Sequence, residues 1–252
     1  MSGLDPATLA IVLAITLFAG FVKGAVGFAM PMIMISAFSS FLPAETALSL
    51  LILPTLFTNI AQAFRQGWRA AWESTVTYRR HIVMVVVFLM ISAQFATAIP
   101  QKVMLAILGV PIVAFALWQL SGRSLAIRIE HRGRVEAFMG MIGGLYGGVS
   151  GIWGPPLIIY LLSIGAEKRE QVRVQGVVFL IGAVTLTGAH LYSGVLNENT
   201  LPLAVVVTIP AAIGLWGGFR LHDRLDPARF RRWTLILLAI TGANLVRRAA
   251  GL

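Results

Sequence analysis

Stretches of about twenty apolar residues recur along the whole chain, and a run of that length is what a helix needs to cross the hydrocarbon core of a bilayer. Six of them read as ordinary full spans, at 44–64, 81–99, 102–120, 172–192, 200–219 and 228–248. Of the 252 residues 58% are hydrophobic and 12% charged, about half the charged fraction of a soluble domain, and the polar stretches are short loops. The expectation is an all-α polytopic membrane protein with no separate soluble domain. The opening "MSGLDPATLA" has no Lys or Arg before its apolar run, so it lacks the basic region of a cleavable signal peptide. The chain has no cysteine, which excludes disulfides, thiolate-bound metals and thiol chemistry. No set of His and carboxylates has metal-ligand spacing, and no cofactor is expected.

Two further apolar segments, 7–41 and 135–164, are interrupted. The first carries "GFVKGAVGFAMP" (20–31) and the second "GLYGGVSGIWGPP" (144–156). Gly20, Gly24, Gly27 and Pro31 recur 124 residues later as Gly144, Gly148, Gly151 and Pro155. Each interrupted segment opens a half that contains three ordinary spans. Two copies of one unit follow, a first repeat at 1–120 and a second at 135–252, joined by a linker at 121–134. Transporter folds are commonly built this way.

Charge sets the expected topology. Most of the 20 Lys and Arg fall in four loops: Arg65, Arg69, Arg79 and Arg80; Arg123, Arg128, Arg132 and Arg134; Lys168, Arg169 and Arg173; Arg220, Arg224, Arg229, Arg231 and Arg232. The positive-inside tendency wants all of them, and the linker, in the cytoplasm. That holds only if segment 135–164 returns to the side it left. Thirty residues are too few for two full crossings, so each interrupted segment is read as a re-entrant pair of half-helices. The two repeats are then inverted. Arg247 and Arg248 resist this scheme, since they end outside. The net charge of +10 is accounted for by orienting loops and contact with anionic lipid, and nucleic acid is excluded as a partner because no basic run forms a continuous patch.

Irregular backbone at membrane depth survives only where protein buries it or a cavity borders it. Pro31 and Pro155 suit the first turn of a new helix, whose free N–H groups and positive end face inward. Glycines just before them let a ligand approach the backbone, an arrangement suited to an anion. Lys23 lies within the first break. A lysine at mid-membrane costs about 2.5–3.5 kcal/mol on insertion scales, and every Asp and Glu sits at a span end or in a loop. An unpaired cation beside helix N-termini calls for an anionic ligand; the alternative is that Lys23 snorkels to the surface. Thr55, Asn59 and Gln62 share one helix face, and Gln175, Thr185 and His190 are polar within spans; each set lines a pathway or bonds helix to helix. Trp153 closes a small site or packs. The candidate substrate-binding residues are Lys23, Gly24, Gly27, Phe28, Pro31, Asn59, Gly148, Ser150, Gly151, Trp153, Gly154, Pro155 and Gln175. The two breaks are expected to meet near the midplane and hold one small anion.

A reading from another class pairs Ser150, in "GVSG", with His190, in "AHLYSG", as nucleophile and base of a rhomboid-like intramembrane protease. It leaves Lys23 and the repeated glycines unexplained, and the first break has Val26 where the second has Ser150.

"GFVKGAVGFAMPMIMI", "AETALSLLILP", "GGLYGGVSGIWGPPLIIYLL" and "GGFRLHDRLDPARFRRW" together resemble the sulfite exporter (TauE/SafE) family of bacterial transporters, over nearly the whole chain. The resemblance implies a multi-pass protein of the bacterial inner membrane, not an enzyme, that moves small anions such as sulfite and organosulfonates. A coupling ion would be H⁺ or Na⁺. One departure stands out: "GFAMP" lacks the glycine expected in place of Ala29 or Met30, which the second break keeps as Gly154.

Overall fold

A computed structural model describes residues 4–38, 41–93, 101–122, 131–150, 153–192, 196–198 and 200–251. These residues form eleven α-helices: α1 (Pro6–Val26), α2 (Met30–Phe38), α3 (Ala44–Ala63), α4 (Trp68–Thr77), α5 (Arg79–Ala93), α6 (Gln101–Leu120), α7 (Arg132–Ser150), α8 (Gly154–Ser163), α9 (Lys168–Tyr192), α10 (Leu201–Arg224) and α11 (Pro227–Ala250). The chain is all-helical across the described residues. Part of the linker, 123–130, lies outside them.

Both interrupted segments are indeed two helices, but they do not divide into equal halves. α1 has 21 residues, about 31 Å at the usual rise, and is long and apolar enough to cross a membrane by itself. α2 has only 9 residues. The second pair repeats the imbalance, with 19 residues in α7 and 10 in α8. The interruption therefore falls at the end of a full-length helix, because the glycine that stops α1 is Gly27 rather than Gly20 or Gly24. Among the described residues α10 is the other helix that is both long and apolar enough to cross, so that of the six expected full spans only 200–219 qualifies by itself, and α4 with α5 forms a third span if the pair, bent by 74°, is one. The basic stretch 65–80, expected as a loop, is largely helical. The stretch 220–232 is helix on both sides of Leu225 and Asp226.

The helices pack as two compact units, Met1–Ala71 with Gly176–Leu225, and Trp72–Gln175 with Asp226–Leu252, so each unit draws on both halves of the sequence. In the first unit, α1 lies along α10, α10 along α3, and α2 against both α1 and α3. Asp5 starts α1 by accepting from the N–H groups of Ala7 and Thr8, each at 3.0 Å, with Pro6 at the first helical position. The α1–α10 seam is built from glycine. A Cβ on Gly20 would sit 2.4 Å from the Ala211 carbonyl oxygen, and one on Gly24 2.2 Å from that of Leu215. From the other side, a Cβ on Gly214 would meet the Leu17 oxygen and one on Gly218 the Phe21 oxygen, both at 2.1 Å. Paired small-xxx-small motifs let two backbones touch where lipid supplies no hydrophobic drive to join them. The opposite face of α10 exposes Val205, Ile209, Ile213 and Trp216, an apolar stripe suited to lipid.

In the second unit, α5 packs on α7, α6 on α11, and α7 on α8. Gly140 and Gly144 of α7 again allow close approach, to the carbonyl oxygens of His81 and Val85 on α5. One carboxylate at a span end is nonetheless covered by protein. Glu136, on the second turn of α7, is buried. It accepts from the backbone N–H of His81 at 3.2 Å and from the hydroxyl of Tyr160 at 3.4 Å. Tyr78 donates to Glu170 at 2.7 Å nearby in the same unit.

Candidate anion site

α1 stops because Gly27 takes the left-handed conformation, φ 92°, with its N–H bonded to the Lys23 carbonyl at 2.6 Å. Ala29 is left-handed too, φ 78°, and it is the one non-glycine residue with positive φ among the described residues. Its carbonyl accepts the first bond of α2, from Ile33 N–H at 2.9 Å. Pro31 sits in that first turn, where its missing N–H costs nothing. Of the two positions at which a glycine was expected, Ala29 is the one whose backbone asks for one, although the repeat aligns Gly154 with Met30. A left-handed alanine costs about 1–2 kcal/mol, and a glycine there would give back roughly 0.4–1 kcal/mol to the freer unfolded chain. Ala29→Gly should therefore be neutral or stabilising by up to about 1 kcal/mol. Ala29→Val should lower the melting temperature clearly; a stable valine variant would show that the conformation is not strained.

Lys23 occupies the last turn of α1 and is 1% exposed. It does not snorkel. Its ammonium donates to Thr58 Oγ1 at 2.8 Å and to Asn59 Oδ1, both on α3. Thr58 can accept because its own proton goes to the Pro54 carbonyl at 2.6 Å, one turn back. Gln62, a turn further along α3, donates Nε2 to the Gly27 carbonyl at 3.0 Å. α3 thus presents Thr58, Asn59 and Gln62 to the break and binds both the cation and the interrupted backbone. Among the described residues no carboxylate reaches Lys23; Asp223 pairs with Arg65 at 2.7 Å. Two buried polar atoms on the same face of α3 have no partner, Asn59 Nδ2 and Thr55 Oγ1. A full positive charge, an unused amide donor and an unused hydroxyl therefore stand together in the first unit with nothing negative between them. Buried donors normally find an acceptor, so this arrangement suits a small anion.

The other expected residues are placed as follows. Gly24 has its bare Cα against the α10 backbone, whereas Gly27 is bare for its conformation. Phe28 is buried beside the break. In the second unit Trp153 is buried and stands before Gly154 and Pro155 at the start of α8. The α7 glycines accommodate it: a Cβ on Gly147 would lie 3.0 Å from the Trp153 Cβ. Gln175 on α9 is fully buried, and neither atom of its amide has a partner. Gly148 and Ser150 belong to the last turn of α7, but their side chains, that of His190 and the whole of Gly151 lie outside the described residues. The sequence reading missed Thr58. The available signal was Pro54 four residues before it, a carbonyl that a threonine at that spacing engages.

Among the described residues, two helices long and apolar enough to cross a membrane, and a buried lysine where one of them is interrupted, fit a membrane protein. The family model for sulfite exporter TauE/SafE matches residues 12–245, and the chain belongs to that family of membrane transporters of sulfur anions. No curated protein and no solved structure matches the chain. The protease pairing of Ser150 with His190 finds no support in these comparisons.

Proposed function

We propose that the protein is a secondary transporter of the bacterial inner membrane that carries a small sulfur-containing anion, sulfite or an organosulfonate, and that the first break is where it holds its cargo. The observation that carries this reading is Lys23, buried, without a carboxylate, and beside the unused donors of Asn59 and Thr55. Gly27 and Pro31 open the backbone at the same place, and the first turn of α2 adds its positive end. The second break, with Trp153, Gly154 and Pro155, is proposed to take part in the same transport cycle, as is the buried Gln175. The multi-pass topology with cytoplasmic basic loops belongs to the same proposal, as does a coupling ion, H⁺ or Na⁺.

The test is thermal unfolding of the purified protein against sulfite, sulfate, sulfoacetate, taurine and small carboxylates. A ligand that binds the native state raises its stability, by about 2.7 kcal/mol at a hundred times its Kd. A melting shift with a sulfur oxyanion, absent with zwitterionic taurine, is the expected result. Stabilisation by none of the anions would remove the proposal.

A further inference from the structure

A cavity lies in the second unit, and none of the residues named for transport lines it. α8 ends at Ser163, the chain turns at Gly165 with φ 68°, and α9 starts at Lys168. The start of α11 forms the facing wall, and the space between is about 700 Å³. Lys168, Arg169 and Arg231 line it, against one carboxylate, Glu167. Phe230, 1% exposed, adds an apolar surface. Asp226 caps α11 by accepting from Arg229 N–H at 2.9 Å, so the positive helix end that opens on this cavity is that of α9. The wall also holds Gln171, 5% exposed. Its Nε2 donates to the Ala166 carbonyl at 2.6 Å, which fixes the amide's orientation, and its Oε1 has no partner. Arg231 keeps its place through a bond to Gln119 at 2.7 Å.

We propose that this cavity binds a phosphate ester bearing a free hydroxyl, the chemistry of a glycerophosphate headgroup. The cations and the helix end call for a phosphate. The lone Gln171 oxygen calls for a hydrogen-bond donor, which the hydroxyl of such an ester supplies. Phe230 suits a carbon skeleton. Basic pockets between helices at a membrane surface take anionic lipid headgroups, and a soluble glycerol phosphate offers the same groups.

The experiment uses the full chain in lipid nanodiscs and reads the melting temperature. Discs of phosphatidylcholine alone are compared with discs containing phosphatidylglycerol, or phosphatidylmethanol, which has the same charge and no hydroxyl. Glycerol 3-phosphate is titrated onto the phosphatidylcholine discs. Phosphatidylglycerol should raise the melting temperature above both other lipids. Arg169→Gln, at an exposed position, should remove most of that rise, and Gln171→Met should reduce phosphatidylglycerol to the level of phosphatidylmethanol. A rise with glycerol 3-phosphate that responds to the same variants assigns the site to a soluble ligand and upholds the chemistry. The proposal is overturned if neither ligand shifts the melting temperature, if Arg169→Gln leaves the shift intact, or if the two anionic lipids act alike in the parent chain and glycerol 3-phosphate gives no rise. Should Gln171→Met fail to fold, that lipid comparison and the glycerol 3-phosphate titration in the parent chain still decide.

Discussion

Lys23→Met is expected to weaken anion binding, and transport with it, by about one to two orders of magnitude while leaving a folded, membrane-inserted protein. Two effects oppose each other in the empty protein. Removing a buried charge returns up to about 2.5–3.5 kcal/mol, the insertion-scale value for a helix centre, and less for Lys23 in the last turn of α1. Stripping Thr58 and Asn59 of their shared donor leaves a buried acceptor unsatisfied, which costs about 1–3 kcal/mol. The balance is near zero or slightly favourable, so stability should barely move. Binding has no such compensation, because an anion then meets only the Asn59 amide and the Thr55 hydroxyl. Loss of a charged hydrogen bond of roughly 2–3 kcal/mol predicts a 30- to 150-fold weaker affinity. The check is the sulfite-dependent melting shift of parent and variant, with uptake or efflux in vesicles beside it. Retained affinity would make Lys23 a bolt between α1 and α3 and nothing more.

Gly24→Val should fail in the opposite way, losing the fold before the function can be read. The new Cβ would lie 2.2 Å from the Leu215 oxygen and 2.9 Å from the Gly218 Cα, both backbone atoms that no rotamer change can move. Overpacking of this kind costs about 1–3 kcal/mol where side chains can yield, and here α1 and α10 must separate. We expect little folded protein by size-exclusion chromatography in mild detergent. Gly24→Ala brings the same Cβ into the seam and should also be strongly destabilised, less than valine by the clashes of the absent γ-methyls. A Gly24→Val variant that is stable yet blind to sulfite would show that the glycine is there for the ligand rather than for α10.

These two residues show how much the sequence disclosed. The apolar runs and the Gly–Pro punctuation placed both interruptions and most helices, because lipid forces backbone bonding to be local and so legible, but α4 lay in a basic stretch expected as a loop. Lys23 was legible for the same reason, since a charge inside an apolar run has few explanations. The division of labour among the glycines was not. Gly24 and Gly27 stand three residues apart in one motif, yet one is small for a neighbouring helix and the other for its own φ, and only tertiary contact separates the two. Thr58 was hidden because a threonine in an apolar helix carries no signal by itself. The burial of Glu136 was hidden because closeness to a helix start reads as exposure until Tyr160 and His81 are seen to cover it. Ala29 is the converse case. The sequence showed that something was missing, and the backbone shows what.

An ammonium group has three protons to give, and two of those on Lys23 are already committed to α3. One remains, on a nearly spherical charge, where an arginine would offer a planar fork that reads the spacing of two oxygens. A carrier that grips its cargo by a single such point has little means of counting oxygens or judging pyramidal from tetrahedral shape. It sorts by bulk and by sign. Tolerance of several related anions, and a hold loose enough to let each one go, would then be two results of the same economy at Lys23.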